Sequence, residues 1–269
     1  GRVNREISTS LKDLNAPIKM AGKLLSHSAA SEAKSLETRL ARLGFFSEVL
    51  DLSDALSSLY IAYDYGDFFL VRRIHDEAER LSFKAPAGTH FIVQSIERNV
   101  TPVRGRFLYL DAKSQFLAEE ERPDYPDLYD ARTRDWYRDA MGAKGQVLSE
   151  PYVFFTNHKV GATFAVRSQS GHAVVGADIQ LDTLGKDLTR QKITPGTQIA
   201  LLSSTGLVIA HESISKLVEN HTEGDVRPRL KRLGELASPV LAQIEPILKN
   251  IGPKESYSRV LSINDANWH

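Results

Sequence analysis

The chain has no cysteine among its 269 residues. Disulfides, thiolate zinc sites and cysteine nucleophiles are therefore excluded, and the absence leans toward an exported bacterial protein. It has no excess of either charge: 34 basic residues balance 34 acidic ones. No basic run marks it as a nucleic-acid binder. It has no apolar run of about 18 residues, so nothing in it reads as a membrane span. Familiar catalytic signatures are missing as well. His211-Glu212 lacks the second histidine of a zinc-protease helix, and Gly185-Lys186 lacks the upstream glycine of a phosphate loop. No GxGxxG loop and no GxSxG elbow occurs, and the eight histidines are scattered. No catalytic residue, metal site or cofactor is indicated.

What is present is an ordinary globular composition, 42% hydrophobic and 25% charged, enough for a sizeable core. Val3, Ile7, Leu11, Leu14, Ile18, Ala21 and Leu25 form one apolar stripe at helical spacing, with Pro17 inside it. A stripe this narrow suits either packing on its own domain or a dimer seam. A second helical stretch is expected from Ser31 to Leu56. Residues 58–74 then read as a hairpin turning at Asp64-Tyr65-Gly66-Asp67. "THFIVQSIERN" and "GRFLYLDAKSQFLAEE" read as two more strands, and "EERPDYPD" as a proline-interrupted loop. "PYVFFT", "GATFAVRSQ" and "HAVVGADIQL" complete an antiparallel sheet flanked by helices. Residues 181–193 read as a helix stopped by Pro195-Gly196. A hairpin around Ser204-Thr205-Gly206, helices at "SISKLVEN" and "SPVLAQIEPILKNI" and a strand at "SYSRVLSIN" follow. A boundary near residue 193 separates a larger module from a smaller one. Both ends read as cut from a longer chain.

The stretch "LYDARTRDWYRDA", 128–140, carries two tyrosines, a tryptophan, three arginines and three aspartates. Asp135 reads as the N-cap of a short helix starting at Trp136. Arg134 and Trp136 then stand where free amides and the positive helix end favour an anion. The Arg134 fork matches a carboxylate, and the Trp136 indole adds a donor. In "GHAVVGADIQL", Ala173, Val175, Ala177 and Ile179 alternate with Val174, Gly176, Asp178 and Gln180. Asp178 is a carboxylate with Gly176 leaving open volume beside it, and a buried carboxylate wants a cation. Tyr152 begins a neighbouring strand and offers a hydroxyl. An anion clamp and a cation clamp in one site fit a zwitterion, a free α-amino acid. The same residues also fit a plain ion pair, Arg134 with Asp130 or Asp178, with Trp136 and Tyr152 as core aromatics.

The run "YDARTRDWYRDA", "SEPYV", "GHAVVGADIQLDTL" and "TQIALLSSTGLVIAH" resembles the double Cache sensor family, four motifs in order over about residues 125 to 211. The resemblance implies an α+β fold of two PAS-like antiparallel-sheet modules stacked along a long N-terminal helix. Residues 1–29 would form that helix, 30–190 a membrane-distal ligand-binding module and 191–269 a membrane-proximal one. The chain looks most like the amino-acid-binding subgroup, through Tyr129, Arg134, Trp136, Tyr152 and Asp178. That implies Arg134 and Trp136, helped by Tyr129, on the ligand carboxylate, and Tyr152 and Asp178 on its ammonium. Asp135 departs from the pattern, where proline is usual, and Phe154-Phe155 lie where the family varies. The expected protein is thus the periplasmic, non-enzymatic sensor of a bacterial inner-membrane receptor, tethered by flanking transmembrane helices. It would take a small molecule and no nucleic acid, and would dimerise through its first helix. The receptor would be a histidine kinase, cyclase or chemoreceptor. The alternatives are the same fold holding a carboxylate, amine or purine, or a dimerisation module with a vestigial pocket.

Overall fold

In the computed structural model, residues 18–54, 56–155, 157, 159–180, 200–202, 208–211, 218–219, 229–235, 261–263 and 266–268 are described. The chain divides into two compact units. One comprises Thr9–Ser149 and Ala162–Gln180; the other comprises Gly1–Ser8, Glu150–Gly161 and Leu181–His269.

The first unit opens on helix α1 (18–26), whose Ile18, Ala21 and Leu25 are buried while Met20 and Leu24 are exposed. The described end of the apolar stripe thus packs inward; residues 1–17 lie outside the described residues. The long helix expected over 31–56 is instead three pieces. A 3-10 turn spans Ala29–Glu32, α2 spans Leu36–Leu40 and α3 spans Leu43–Asp51. The break has a local cause. Ser35 and Thr38 form a capping box, each side chain accepting from the other's backbone N–H at 3.2 and 3.3 Å, which restarts the helix there.

The sheet runs in the order β5-β4-β3-β2-β1-β9-β8-β6. Its strands are β1 (Leu56–Tyr63), β2 (Phe68–Arg73), β3 (Phe91–Glu97), β4 (Arg104–Leu110) and β5 (Phe116–Glu121). β6 (Val147–Leu148), β8 (Val160–Arg167) and β9 (Ala173–Gln180) complete that order. The hairpin read at 64–67 joins β1 to β2, with Gly66 at φ 99° supplying the positive-φ position. "GRFLYLDAKSQFLAEE" is two strands rather than one. Asp111 turns the chain between them by accepting from the backbone N–H groups of Lys113 and Gln115, both at 2.8 Å. The proline loop contains a short helix, α5 (Tyr125–Leu128), with Pro126 in its first turn, where its missing N–H is harmless. Helix α4 spans Glu77–Ser82, between β2 and β3, and helix α6 spans Asp135–Gly142.

Both faces of the sheet are covered, and every residue of β1, β3 and β9 is buried. Register fixes what lies on each face. Ala173, Val175 and Ala177 share the first face with Leu59, Ile61, Tyr63 and Phe69. The helices cover it: Phe46 of α3 meets Phe69 edge-on at 5.3 Å, and the Tyr63 hydroxyl donates to Ala30 O at 2.6 Å. At its edge, buried Arg39 of α2 pairs with buried Asp67 at 2.6 Å. Asp67 also accepts from the Arg98 and Asn99 backbone, tying helix, hairpin and the turn after β3 together.

In the second unit, β7 (Tyr152–Val153) pairs antiparallel with the start of β8, setting Tyr152 opposite Gly161. β10 (Ala200–Leu202) pairs antiparallel with β11 (Val208–His211), as the hairpin reading requires, while its turn at Ser204-Thr205-Gly206 lies outside the described residues. "SISKLVEN", read as helix, contains strand β12 (Val218–Glu219), paired with β13 (Arg229–Leu230). Its β-branched Val218 fits a ladder as readily as a helix face. β14 (Leu261–Ile263) pairs with β15 (Ala266–Trp268). The helices read at 181–193 and in "SPVLAQIEPILKNI" lie outside the described residues.

Candidate functional site

The second face of the sheet carries Asp178. Directly opposite it is Ser58, and opposite Ser58 is Arg72; one row along stand Gly176, Tyr60 and Leu70. Asp178 is 5% exposed and its carboxylate sits in a cage of hydroxyls. Tyr60 and Thr163 donate to Oδ1, both at 2.7 Å, and Ser58 donates to Oδ2 at 2.8 Å. Among the described residues no guanidinium bonds to it, which disposes of the Arg134–Asp178 ion pair. Asp130, the other partner considered, is taken by Arg132 at 2.7 Å. Burial pushes the Asp178 carboxyl above its ordinary pKa, and the three hydroxyls and the Arg72 charge hold it partly back.

Gly176 does not leave the expected open volume beside Asp178. The Tyr60 ring fills it: a Cβ at Gly176 would lie 2.1 Å from Tyr60 Cε2 and 2.4 Å from Cζ. Glycine lets that ring lie flat on β9 and bring its hydroxyl to the carboxylate. A bulge between Leu56 and Ser58 also aims two successive serines at one residue. Ser57 donates to the Asp178 backbone oxygen at 3.3 Å and Ser58 to its side chain.

The segment 125–142 covers this face through aromatic contacts to three of its strands. Trp136 meets Tyr60 of β1 at 5.1 Å, Tyr129 meets Phe68 of β2 at 5.1 Å, and Tyr125 meets Phe107 of β4 at 5.3 Å. Arg98 holds the segment down by donating to the carbonyls of Pro126 and Tyr129. The α6 start differs by one residue from the expectation. Arg134, in extended conformation, is the N-cap, and Asp135 is the first helical residue. Asp135 caps nothing; exposed, it pairs with Arg138 at 2.6 Å. A carboxylate in the first turn still complements the helix dipole.

Tyr129 links the two charges. It is half-buried, and the neighbouring Trp136 indole N–H favours its ionised form. Burial lifts that hydroxyl above the usual phenol range; the Arg134 charge opposes this, and Asp178 and Asp130 add to it. A single hydroxyl thus feels the guanidinium and the carboxylate together. Tyr129, Arg134, Trp136 and Asp178 all belong to the first unit, and Tyr152 belongs to the second, where its half-buried ring meets Phe154 at 5.2 Å. Sequence reading missed Ser58, Tyr60, Thr163 and Arg72. The alternation in "SLYIAY" places Ser58 and Tyr60 on one face, but only strand register says which face and opposite what. No cluster of metal-ligating side chains occurs among the described residues, and no helix among them is long and apolar enough to cross a membrane.

No family model matches the chain. It is 31% identical over 172 residues to adenylate cyclase 1 of Rhizobium meliloti, covering 63% of this chain and 26% of that protein. It is 31% identical over 157 residues to the methyl-accepting chemotaxis protein McpG of Pseudomonas putida, covering 55% of this chain and 23% of that one. The chain thus spans about a quarter of the length of these curated relatives. Among solved structures it is similar to the ligand-binding domain of the Campylobacter jejuni chemoreceptor Tlp3 in complex with 4-methylisoleucine. The TM-score is 0.51 at 14% identity, over 96% of this chain and 78% of that one. The Tlp3 sensory domain with isoleucine bound matches at a TM-score of 0.50 and 14% identity, over 96% of this chain and 80% of that one. In fold the chain is similar to the ligand-binding domains of chemoreceptors, and in sequence to a segment of chemotaxis receptors and of an adenylate cyclase.

Proposed function

We propose that this domain binds a free α-amino acid on the second face of its large sheet and serves as the extracytoplasmic sensor of a bacterial transmembrane receptor. One observation carries the reading. A buried carboxylate, Asp178, is held by hydroxyls rather than by a cation, and its charge and that of Arg134, at a helix start, both act on the Tyr129 hydroxyl. Bound there, the ligand ammonium takes the remaining lone-pair direction of Asp178 Oδ2. The ligand carboxylate takes the Arg134 fork and the backbone amides at the start of α6. Tyr129 stands between the two ends. The part of Tyr152 rests on the motif resemblance.

The ligand-binding module of roughly 30–190 and the smaller one of 191–269 form one receptor segment in this reading. The segment dimerises along the first helix and is tethered by transmembrane helices at its ends. Chemotaxis receptors and a cyclase among the relatives leave the output domain open. Signalling draws only on the ligand's differential affinity for two states. A thermal-shift screen with the twenty amino acids tests the proposal. A ligand at 100 times its dissociation constant adds about 2.7 kcal/mol of stability. That shift disappears in Arg134→Ala and Asp178→Ala. A shift with simple acids alone, or with no amino acid, refutes the reading.

A further inference from the structure

The α-amino and α-carboxyl groups of a ligand do not account for Gln94. This residue lies on β3 in the row Gly176, Tyr60, Leu70, Gln94, Phe107, on the same face as Asp178. It is 0% exposed, and neither Oε1 nor Nε2 of its amide has a hydrogen-bond partner. A buried amide with donor and acceptor both unmet weakens the free protein, and an apolar residue of similar shape would relieve it. The adjoining row places the buried Arg72 guanidinium diagonally from Gln94, and its charge acts on the hydroxyl of Tyr125 in the covering segment. This end of the face is polar, yet three strands away from Asp178.

Resting on the amino-acid reading above, we propose that Gln94 is a specificity-determining residue that reads the far end of the ligand side chain, and that the ligand is an amino acid with a long side chain ending in a carboxamide. The chemistry selects the group. A carboxamide meets both halves of the Gln94 amide, donor to acceptor and acceptor to donor. A carboxylate meets Nε2 and is drawn by Arg72, but sets a second acceptor against Oε1. An ammonium meets only Oε1 and faces Arg72 besides. An aliphatic end meets neither. Reach selects the length. Three strand spacings separate β9 from β3, about 14 Å. A ligand gripped at Asp178 spans that gap only with an extended side chain, and glycine, alanine or serine stops short. Leu70 and Phe107 flank the amide, so they move aside as the ligand enters and then line its methylenes.

Calorimetric titration of L-glutamine against L-norleucine, on the wild-type protein and on Gln94→Leu, tests the proposal. The wild type is expected to bind glutamine about tenfold more tightly, the worth of one good hydrogen bond. Gln94→Leu is expected to reverse the order and to melt higher without ligand. Norleucine binding the wild type as well as glutamine does overturns the proposal even if the variant fails to fold. So does an unchanged ratio in the variant. In either of those cases the amino-acid reading survives, because binding persists. Absence of binding by any amino acid, short or long, overturns both.

Discussion

Replacing Asp178 with asparagine should have opposite effects on the free and the liganded protein. In the free protein the carboxylate is buried, its pKa raised by loss of water and held back by Ser58, Tyr60, Thr163 and the Arg72 charge. A carboxyl raised in the folded state binds its proton more tightly there than in the unfolded chain. Its cost to stability is therefore absent below the unfolded pKa, near 3.9, and grows as pH rises through the folded value. Above the folded value that cost is fully present, and asparagine removes it. The three hydroxyls can rotate to serve an amide oxygen and nitrogen. Free Asp178→Asn should melt no lower than wild type at pH 7, and the advantage should shrink on acidification. Ligand binding moves the other way. Removing one partner of a buried, hydrogen-bonded charge pair costs about 2–5 kcal/mol. Taking about 3 kcal/mol, the dissociation constant rises roughly a hundredfold. Wild-type binding should weaken as pH falls, because the proton competes with the ligand ammonium for Asp178. On the acid side, where the free carboxyl is partly protonated, calorimetry in buffers of different ionisation enthalpy should register protons released on binding to wild type and none to the variant. A variant that melts lower yet binds with unchanged affinity and pH slope would show that Asp178 is only a structural group.

Three further perturbations follow from the same geometry. Gly176→Ala drives a methyl into the Tyr60 ring, which cannot swing away without losing both Asp178 and Trp136. A loss of about 1–3 kcal/mol, the usual cost of overpacking, should appear in urea unfolding together with weaker ligand binding. Asp67→Ala strands the buried Arg39 and should cost about 3–5 kcal/mol in the same assay, while affinity per folded molecule stays unchanged. Tyr129→Phe takes away the hydroxyl on which the Arg134 and Asp178 charges both act and should lower ligand affinity by about 0.5–1.5 kcal/mol, measured by titration, with little change in melting temperature.

The features legible in the sequence were those fixed by neighbours in the chain. The alternation of β9 set Asp178 and Gly176 on one face, and Gly66 marked the first hairpin. The crowding of aromatics and arginines in 128–140 marked the covering segment. What escaped depended on partners far along the chain. Gly176 reads as empty space until β1 is laid beside β9 and Tyr60 fills it. Ser58 and Thr163 are ordinary strand residues until register places them on one carboxylate. Two misreadings were local and avoidable. The Ser35–Thr38 capping pair announces a helix start inside what was read as a continuous helix, and Asp111 announces a turn inside what was read as a continuous strand. Asp135 misled because an aspartate before an aromatic run is a good N-cap in general. Here the extended residue is Arg134, one position earlier, and the helix has already begun.

The ring-on-ring cover gives this domain a built-in optical reporter. It has two tryptophans: Trp136 is edge-on to Tyr60, and Trp268 belongs to strand β15 of the other unit. With Trp268→Phe, a single tryptophan remains, at the charge centre of the proposed site. Its emission colour and quenching would then follow occupancy in unlabelled protein, one molecule at a time or in a plate.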